Sequence, residues 1–275
     1  MISKAKLQFI RSLESKKGRN VKGSFVAETP KLVDELMNAF EPELIVATTD
    51  WLEINKNKLL STCHSLSAEK MIEVSPDELR KISFLQHPQK VLAVFKQRPL
   101  SQKGFSFEQK TDTEGNSNIQ PEQLILALDD VQDPGNLGTI IRIADWFGIE
   151  NLICSENTAD VYNPKVVQAT MGSLARVHVT YTNLSSFIDL LPVSTPVYGT
   201  FLDGEDIYKS ELSESGIIVM GNEGNGISPE IRNKINRRLL IPCFPSDRET
   251  VESLNVAVAT AITCSEFRRK KYQRS

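Results

Sequence analysis

Three polar segments in the second half of the chain carry side chains that could surround a reacting group. The first holds Asn136 and Arg142, which follow a Pro-Gly turn. The second is a glycine-rich loop that holds Glu223, and the third holds Ser253 and Asn255 ahead of a run of small residues. Side chains of these types, if brought together, can bind a ligand and stabilise charge that develops in a reaction. Taken singly, each side chain also has a structural explanation as a helix cap or a surface group.

The glycine-rich loop directly follows the short apolar run 217–220, which is typical of a strand buried on both faces. Gly221, Gly224 and Gly226 would let the backbone approach a ligand at the carboxyl end of that strand. The spacing is G-x-x-G-x-G, so the loop is neither a P-loop nor the dinucleotide fingerprint. The loop alone therefore predicts a bound small molecule without saying which one.

The elements that precede these segments predict a small α/β domain over residues 1–97. Predicted helices span 4–16, 30–37, 50–60 and 76–84, and predicted strands span 44–47, 71–74 and 91–95. Residues 98–122 are polar and show no apolar periodicity, which indicates an interdomain linker.

Residues 123–275 predict a second α/β domain with an open, mostly parallel sheet. Predicted strands span 124–128, 152–154, 175–179, 196–201, 217–220 and 238–241. Predicted helices span 137–147, 164–171, 184–191 and 254–269, with a short one from Ser228. Asn136 lies where it could cap the first of these helices, and Ser253 could cap the last.

The composition is that of an ordinary soluble globular protein, with 40% hydrophobic and 24% charged residues and a net charge of −3. No apolar run approaches the roughly 18–20 residues that span a bilayer, and basic residues near the start argue against a signal peptide. The cysteines show no C-x-x-C pair and no nearby histidine at ligand spacing, which predicts buried reduced thiols in a cytoplasmic protein without a metal: Cys63, Cys154, Cys243 and Cys264.

Positive charge is concentrated at the two ends of the chain. Solvated helix ends are one explanation, and local binding of phosphates is the other. The candidate phosphate-binding residues of the first cluster are Lys4, Arg11, Lys16, Lys17, Arg19 and Lys22. The second cluster lies within 268–274.

Taken together and in this order, the three polar segments resemble the three motifs of the SpoU branch of the SPOUT RNA methyltransferases. The residues that carry the resemblance are Asn136 with Arg142, the stretch 222–226 and the stretch 253–261. The resemblance covers about 123–269. The first domain resembles, over 23–33, the ribosomal-protein-L30-like substrate-binding domain, although its segment has a shifted register and lacks that family's glycine.

The resemblance implies a 2′-O-ribose methyltransferase that uses S-adenosylmethionine and needs no metal. It implies a deep trefoil knot in the second domain, a homodimer formed through the knotted domain, and RNA as the substrate. An L30-like domain fused to such an enzyme favours ribosomal over transfer RNA, by analogy.

The resemblance also implies roles for individual residues. The methyl donor would lie against Thr200, Phe201, Leu202, Gly221, Asn222, Gly226, Ile241, Pro242, Ser253 and Leu254. The polar set around the reacting ribose would be Asn136, Arg142, Glu223, Ser253 and Asn255. The family proposal makes Arg142 the base. Because an arginine stays protonated below a pKa of about 12, we expect Arg142 to act as a fixed cation on the RNA phosphate and the alkoxide, oriented by Glu223 and Asn136.

Two other classes of function compete with this interpretation. A non-catalytic RNA-binding protein could keep the fold, but the intact polar set argues against it. A nucleotide enzyme on a doubly wound sheet would need the G-x-G-x-x-G pattern after its first strand, which this chain lacks. Within the methyltransferase class, transfer RNA remains the alternative substrate.

Overall fold

The computed structural model describes residues 2–63, 66–98, 110–111, 117–118, 123–245 and 253–274. These residues form two compact units. Unit 1 comprises Met1–Pro99 and Asp160–Arg176, and unit 2 comprises Leu100–Ala159 and Val177–Ser275. The predicted domain boundaries remain a prediction. The sequence does not predict that residues 160–176 belong with the first unit.

The first hundred residues alternate between helices and strands, as the apolar spacing predicts. The helices are α1 (Lys4–Ser12), α2 (Lys16–Lys22), α3 (Pro30–Met37), α4 (Thr49–Thr62) and α5 (Pro76–Ile82). The strands are β1 (Ser24–Glu28), β2 (Pro42–Ala47), β3 (Met71–Glu73) and β4 (Val91–Lys96). Neither α2 nor β1 is predicted from the sequence, because α2 is short and polar and β1 follows it directly.

Helix starts in this part are set by local side chains. Ser75 and Glu78 form a reciprocal capping box ahead of α5, which stabilises its first turn. Pro30 opens α3 as predicted, but the Thr29 side chain makes no capping hydrogen bond. Thr29 instead has a φ of 84°, in the region that favours glycine. It stands in the segment where the L30-like pattern expects a glycine.

Two short strands, β5 (Lys110–Thr111) and β6 (Ser117–Asn118), pair antiparallel within the predicted linker. The rest of 99–122 lies outside the described residues. From there the strands are β7 (Leu124–Leu128), β8 (Asn151–Cys154), β9 (His178–Tyr181), β10 (Val197–Asp206), β11 (Gly216–Met220) and β12 (Arg237–Leu240). The helices are α6 (Pro134–Trp146), α7 (Pro164–Thr170), α8 (Leu184–Asp189), α9 (Pro229–Arg232) and α10 (Val256–Arg274).

Each unit has its own sheet. In unit 1 the strand order is β1-β4-β2-β3, with antiparallel pairs except for β2 with β3. In unit 2 the order is β12-β10-β11-β7-β8-β9, and every pair among these described strands is parallel. The predicted α/β class with a mostly parallel sheet is therefore confirmed. The knot depends on the course of 246–252, which lie outside the described residues, so it stays a prediction.

The largest difference from prediction in unit 2 concerns β10. The sequence predicts that it ends at Phe201, whereas it continues to Asp206. Its pairing with β12 shifts register between Thr200 and Glu205, so the intervening residues form a bulge. The predicted strand 175–179 is displaced as well, because a 3-10 turn occupies Ser173–Ala175 and β9 begins at His178.

Helix α10 packs beside α6, and the two run in the same direction. Asn255, just before α10, bonds to Asn136 in the first turn of α6. At the other end, the Arg268 guanidinium donates to the carbonyls of Phe147 and Gly148, just after α6. These bonds satisfy carbonyl groups that the end of a helix leaves without partners.

No helix within the described ranges is long and apolar enough to cross a membrane. In the same ranges, no group of three His, Cys, Asp or Glu side chains has the arrangement that holds a metal ion. Cys154 and Cys264 are buried, and burial raises the pKa of the Cys264 thiol to about 12. The prediction of buried thiols is wrong for Cys243, which is exposed.

Candidate functional site

Parallel strands bring the three polar segments to one edge of the sheet in unit 2. β11 lies between β10 and β7, and β12 pairs with the far side of β10. The loops that follow these four strands therefore leave the sheet in the same direction. Open α/β sheets bind their ligands at this edge, the carboxyl ends of the strands.

A chain of side-chain hydrogen bonds joins all three segments. The Asn255 amide nitrogen donates to the Asn136 side-chain oxygen at 3.0 Å. The Asn136 amide nitrogen donates to the Glu223 carboxylate, also at 3.0 Å. The structure thus brings together three of the five polar residues predicted to surround the reacting ribose. The bonded residues are 87 positions apart in the sequence for Asn136 and Glu223, and 119 positions apart for Asn136 and Asn255.

Glu223 is held at the start of α6. Its carboxylate accepts from the backbone amides of Gln132 and Asp133, each at 3.3 Å, in addition to Asn136. Partial burial raises the pKa of Glu223, but these hydrogen bonds outweigh it and hold the pKa below the ordinary value. A carboxylate is also favoured by the positive end of the helix dipole. Glu223 is therefore a fixed anion that locks the glycine-rich loop to α6.

The N-caps differ from those predicted. The cap of α6 is Asp133, whose side chain accepts from the Asn136 amide, so Asn136 lies inside the first turn. The cap of α10 is Asn255, whose side-chain oxygen accepts from the amides of Ala257 and Val258 at 2.9 and 3.3 Å. Ser253 is exposed two residues earlier. Because Asn136 is not occupied as a cap, its amide is available to connect the two other segments.

The glycine-rich loop is tightly closed. Asn222 and Gly226 exchange backbone hydrogen bonds at 2.9 and 3.0 Å. The Asn222 side chain donates to the carbonyl of Asp130 and accepts from the amides of Gly224 and Asn225. The loop is thus preorganised and anchored to the chain after β7.

Two acidic residues that sequence reasoning did not assign support this loop. Buried Asp129 accepts from the Ser228 amide at 2.7 Å and so holds the loop where it leaves the site. Asp130 has a φ of 57° and accepts a hydrogen bond from the Ser155 hydroxyl at 2.6 Å. Their signal in the sequence is the pair of carboxylates placed directly after the buried strand β7.

Arg142 lies on the exposed side of α6, six residues after Asn136. Such a separation corresponds to about 9 Å along a helix axis. The Arg142 guanidinium forms no ion pair with a described residue. The Glu223 and Asn136 side chains bond to each other, and the expectation that they orient Arg142 stays a prediction. Arg142 is thus an exposed cation beside the hydrogen-bonded network, rather than a member of it.

The residues expected to contact the methyl donor lie in four segments: within β10, after β11, after β12 and just before α10. Thr200, Phe201 and Leu202 belong to β10 at the start of its bulge, and Leu202 is 76% exposed. The Phe201 ring packs on the core of unit 2 and has the guanidinium groups of Arg232 and Arg238 above it, at 4.9 and 4.1 Å. This strand therefore offers a ligand its backbone and Leu202, while the Phe201 ring is used in packing.

The other members of this set follow their strands directly. Gly221, Asn222 and Gly226 form the closed loop after β11, and Ile241 and Pro242 follow β12. Ser253 and Leu254 precede α10, and the Leu254 side chain is 50% exposed. Since β10, β11 and β12 are adjacent, these segments lie at one edge of the sheet, as a shared ligand requires.

The candidate phosphate-binding residues of unit 1 differ in accessibility. Lys4, Arg11, Lys16, Lys17 and Lys22 are exposed. Arg19 is buried, with 1% of its side chain exposed in an ion pair with Asp160. We therefore assign Arg19 to the fold of unit 1 and leave it out of the proposed RNA surface.

The ionisation of Glu223 leads to a prediction about stability and pH. Because its pKa is lower in the folded protein than its ordinary value of 4.5, its contribution is complete above that pH and is lost as the pH falls. We expect Glu223→Gln to lower the melting temperature at pH 7, and the difference from wild type to shrink below a pH of about 4.5.

The measurement is thermal unfolding of both proteins between about pH 3.5 and 7. Glu230→Gln, which removes an exposed carboxylate on α9, is the matched control and should show no such convergence. A difference between wild type and Glu223→Gln that is constant with pH would contradict the prediction.

Both halves of the chain match models of known protein families. Residues 123–265 match the model of the SpoU rRNA Methylase family. Residues 4–93 match the model of the MRM3-like substrate binding domain. The two matches fall on either side of the predicted linker.

Full-length relatives have the same arrangement. The chain is 31% identical over 262 residues to the 23S rRNA (guanosine(2553)-2′-O)-methyltransferase RlmP of Bacillus subtilis, with 94% of each chain covered. A solved structure from Porphyromonas gingivalis, described as of the TrmH family of RNA methyltransferases, is 38% identical with a TM-score of 0.79, covering 98% of this chain and 99% of its own. The AdoMet-bound rRNA methyltransferase from Sinorhizobium meliloti is 28% identical with a TM-score of 0.80, covering 98% and 96%.

The resemblance of the three polar segments to SpoU motifs is thus confirmed by the family match, which spans all three. The similarity to the Bacillus subtilis relative extends over both matched parts, since it covers 94% of each chain. The chain belongs to the SpoU rRNA methylase family.

Proposed function

We propose that this protein transfers a methyl group from S-adenosylmethionine to a ribose 2′-hydroxyl of ribosomal RNA. The observation that carries the proposal is the hydrogen-bonded chain from Asn255 through Asn136 to Glu223. It joins the three polar segments into one site at the ligand-binding edge of a parallel sheet. The large-subunit specificity of the Bacillus subtilis relative supports 23S ribosomal RNA as the substrate.

The residues present fit S-adenosylmethionine. Gly221 lies so close to the backbone of Gly226 and Ile227 that an added Cβ would be 2.3 Å from both. This close packing leaves an edge of backbone groups without side chains, which suits a flat adenosyl group. Gly221, Ile241 and Leu254 would hold that group. The cofactor would supply the methyl group, which the ribose 2′-oxygen would take by in-line displacement of the sulfonium sulfur, with S-adenosylhomocysteine as the leaving group.

The chain's own residues must orient the RNA and stabilise charge on its 2′-oxygen. Arg142 is exposed and free of ion pairs with described residues, so its guanidinium can take up an RNA phosphate. The same cation stabilises the negative charge that develops on the 2′-oxygen as its proton leaves. Asn136 and Asn255 fix the starts of α6 and α10, and Glu223 keeps the glycine-rich loop in place against them. The network therefore positions the starts of the two helices, beside which the ribose would lie.

RNA capture is proposed for unit 1. Lys16, Lys17 and Lys22 on α2 are exposed and form no ion pair with a described residue. Unpaired lysines on one short helix can bind successive phosphates with release of counterions. Lys4 and Arg11 on α1 extend the basic surface. The match of this half to a substrate-binding domain supports the same division of labour.

A homodimer formed through unit 2 completes the proposal. The outward sides of α6 and α10 carry apolar groups that are unusually exposed for their size: Trp146 is 84% exposed, Leu254 50% and Val258 49%. Because α6 and α10 run side by side, a second copy that packed on their outward sides would cover these groups. Covering exposed apolar groups is favourable, and large exposed apolar patches typically mark interfaces. A second copy of this chain would place its own α6 and α10 there.

We expect Trp146→Glu to convert the dimer to a monomer at micromolar concentration, since it replaces the most exposed of these apolar groups by a charge that the interface would have to bury. Light scattering coupled to size exclusion measures the mass directly. Val193→Glu, at a fully exposed position in unit 2 outside these two helices, is the control and should keep the wild-type mass. A Trp146→Glu protein that stays dimeric would place the interface elsewhere.

The decisive experiment maps 2′-O-methyl groups in total RNA from cells with and without the gene. The proposal predicts loss of one or a few ribosomal positions, restored by the purified enzyme with S-adenosylmethionine. Loss of a transfer RNA methyl would redirect the substrate assignment. Unchanged RNA, together with no binding of S-adenosylmethionine at millimolar concentration, would favour a non-catalytic RNA-binding protein. A cytoplasmic location remains a prediction.

A further inference from the structure

The segment Asp160–Arg176 belongs to unit 1, although it lies within the stretch matched by the methylase family model. Helix α7 of this segment packs on β1, and the 3-10 turn Ser173–Ala175 packs on α3. Gly172 approaches Glu35 so closely that an added Cβ would lie 2.7 Å from the Glu35 side chain. The first unit therefore includes an element that the sequence assigns to the other half of the chain.

A buried ion pair fixes the beginning of this segment. The Arg19 guanidinium donates twice to one oxygen of Asp160, at 3.0 and 2.5 Å. It also donates to the carbonyls of Leu13 and Glu14 at 2.9 and 2.7 Å. The second Asp160 oxygen accepts from the Tyr162 amide at 3.0 Å. Removing one partner is costly, because the Arg19 side chain is only 1% exposed and would be left as a buried charge without its counterion.

An aromatic contact fixes the segment at a second point. The Tyr162 side chain is 2% exposed, and its ring lies 4.7 Å from that of Phe25 in β1. Its hydroxyl accepts from the Arg98 amide at 2.9 Å and donates to the Arg98 carbonyl at 3.3 Å. Arg98 in turn stacks on Phe40, with 4.3 Å between guanidinium carbon and ring centre. Tyr162 is thus part of the core of unit 1 and is bonded to the residue where β4 leads into the linker.

We propose that Asp160–Arg176, a segment of the stretch matched by the methylase family model, is a docking element within unit 1 that fixes the basic helix α2, with Arg19 and Asp160 as positioning residues. The proposal rests on the assignment of RNA capture to unit 1. Arg19 of the ion pair lies in the middle of α2, the helix that also carries Lys16, Lys17 and Lys22. Displacing Arg19 therefore displaces the basic surface, while the network around Glu223 is left intact.

The test is Asp160→Asn in the full-length protein, which leaves the Arg19 charge buried beside a neutral amide. RNA affinity should fall by about tenfold or more, the loss expected when 1.4 kcal/mol or more of binding is removed. The affinity for S-adenosylmethionine and the rate at saturating RNA should stay near wild type. Amide hydrogen exchange in α2 and β1 should become faster. Asp34→Asn, which breaks an exposed pair with Lys58 in unit 1 but outside this segment, is the matched control and should change little.

A double variant separates positioning from loss of folding. Arg19→Met with Asp160→Leu replaces the pair by apolar groups and should restore slow exchange and most of the RNA affinity. Unchanged exchange and RNA affinity in Asp160→Asn would overturn the proposal, and so would an equal loss of cofactor affinity. Faster exchange in a protein whose wild type binds no RNA would instead refute the assignment of RNA capture to unit 1, while supporting the docking element.

Discussion

Arg142→Gln is expected to reduce the single-turnover rate of methyl transfer by about 10²–10³-fold, the effect of removing one preorganised group that stabilises a developing oxyanion. The side chain is exposed and forms no ion pair with a described residue, so its loss should not disturb the fold. The affinity for S-adenosylmethionine should be unchanged, because the residues assigned to the cofactor lie in the bulge of β10, in the loops after β11 and β12, and just before α10. Rapid-quench assays with excess enzyme isolate the chemical step from RNA binding.

Arg142→Lys then tests what the arginine supplies. A lysine keeps the charge but not the planar fork that can hold a phosphate and a ribose oxygen together. We expect it to recover only part of the rate. Full recovery with unchanged RNA affinity would show that a point charge suffices. Arg237→Gln is the control: this exposed arginine begins β12 and lies at the opposite end of the strand from Ile241.

The elements that build the site can be predicted because their signals are local. The apolar runs of β7 and β11 stop abruptly at polar loops, and Pro134 and Pro229 open the helices that follow. Parallel pairing then requires those loops to meet at one edge of the sheet. The identities of Asn136, Glu223 and Asn255 as members of one site came from the resemblance, since no spacing rule links residues about a hundred positions apart.

What could not be predicted depends on long-range packing. Arg19 looks like its lysine neighbours in the sequence, and only the approach of Asp160, 141 positions later, makes it a buried residue. Asn136 looks like a helix cap, but Asp133 occupies that role and leaves the Asn136 amide for Glu223. The bulge in β10 depends on how β10 pairs with β12. The register of that pairing is set by both strands, so it cannot be predicted from the sequence of β10 alone.

The glycine-rich loop offers the sharpest comparison within the site, because its glycines differ in what surrounds them. A Cβ on Gly221 would lie 2.3 Å from the Gly226 carbonyl carbon and the Ile227 nitrogen. Both are backbone atoms that are fixed by the bonds between Asn222 and Gly226, so they cannot move aside. A Cβ on Gly224 would meet nothing closer than the Asn222 side-chain oxygen, at 3.6 Å.

Gly221→Ala is therefore expected to open the loop and to weaken S-adenosylmethionine binding by roughly 10–100-fold, which corresponds to an overpacking cost of about 1–3 kcal/mol. Gly224→Ala should bind within about twofold of wild type, because its methyl group makes only ordinary contacts. Isothermal titration of both variants with S-adenosylmethionine gives the comparison, and circular dichroism verifies that each is folded. Equal losses in the two variants would mean that flexibility of the loop, rather than the close approach at Gly221, determines cofactor binding. Wild-type affinity in a folded Gly221→Ala would remove this loop from the proposed cofactor site.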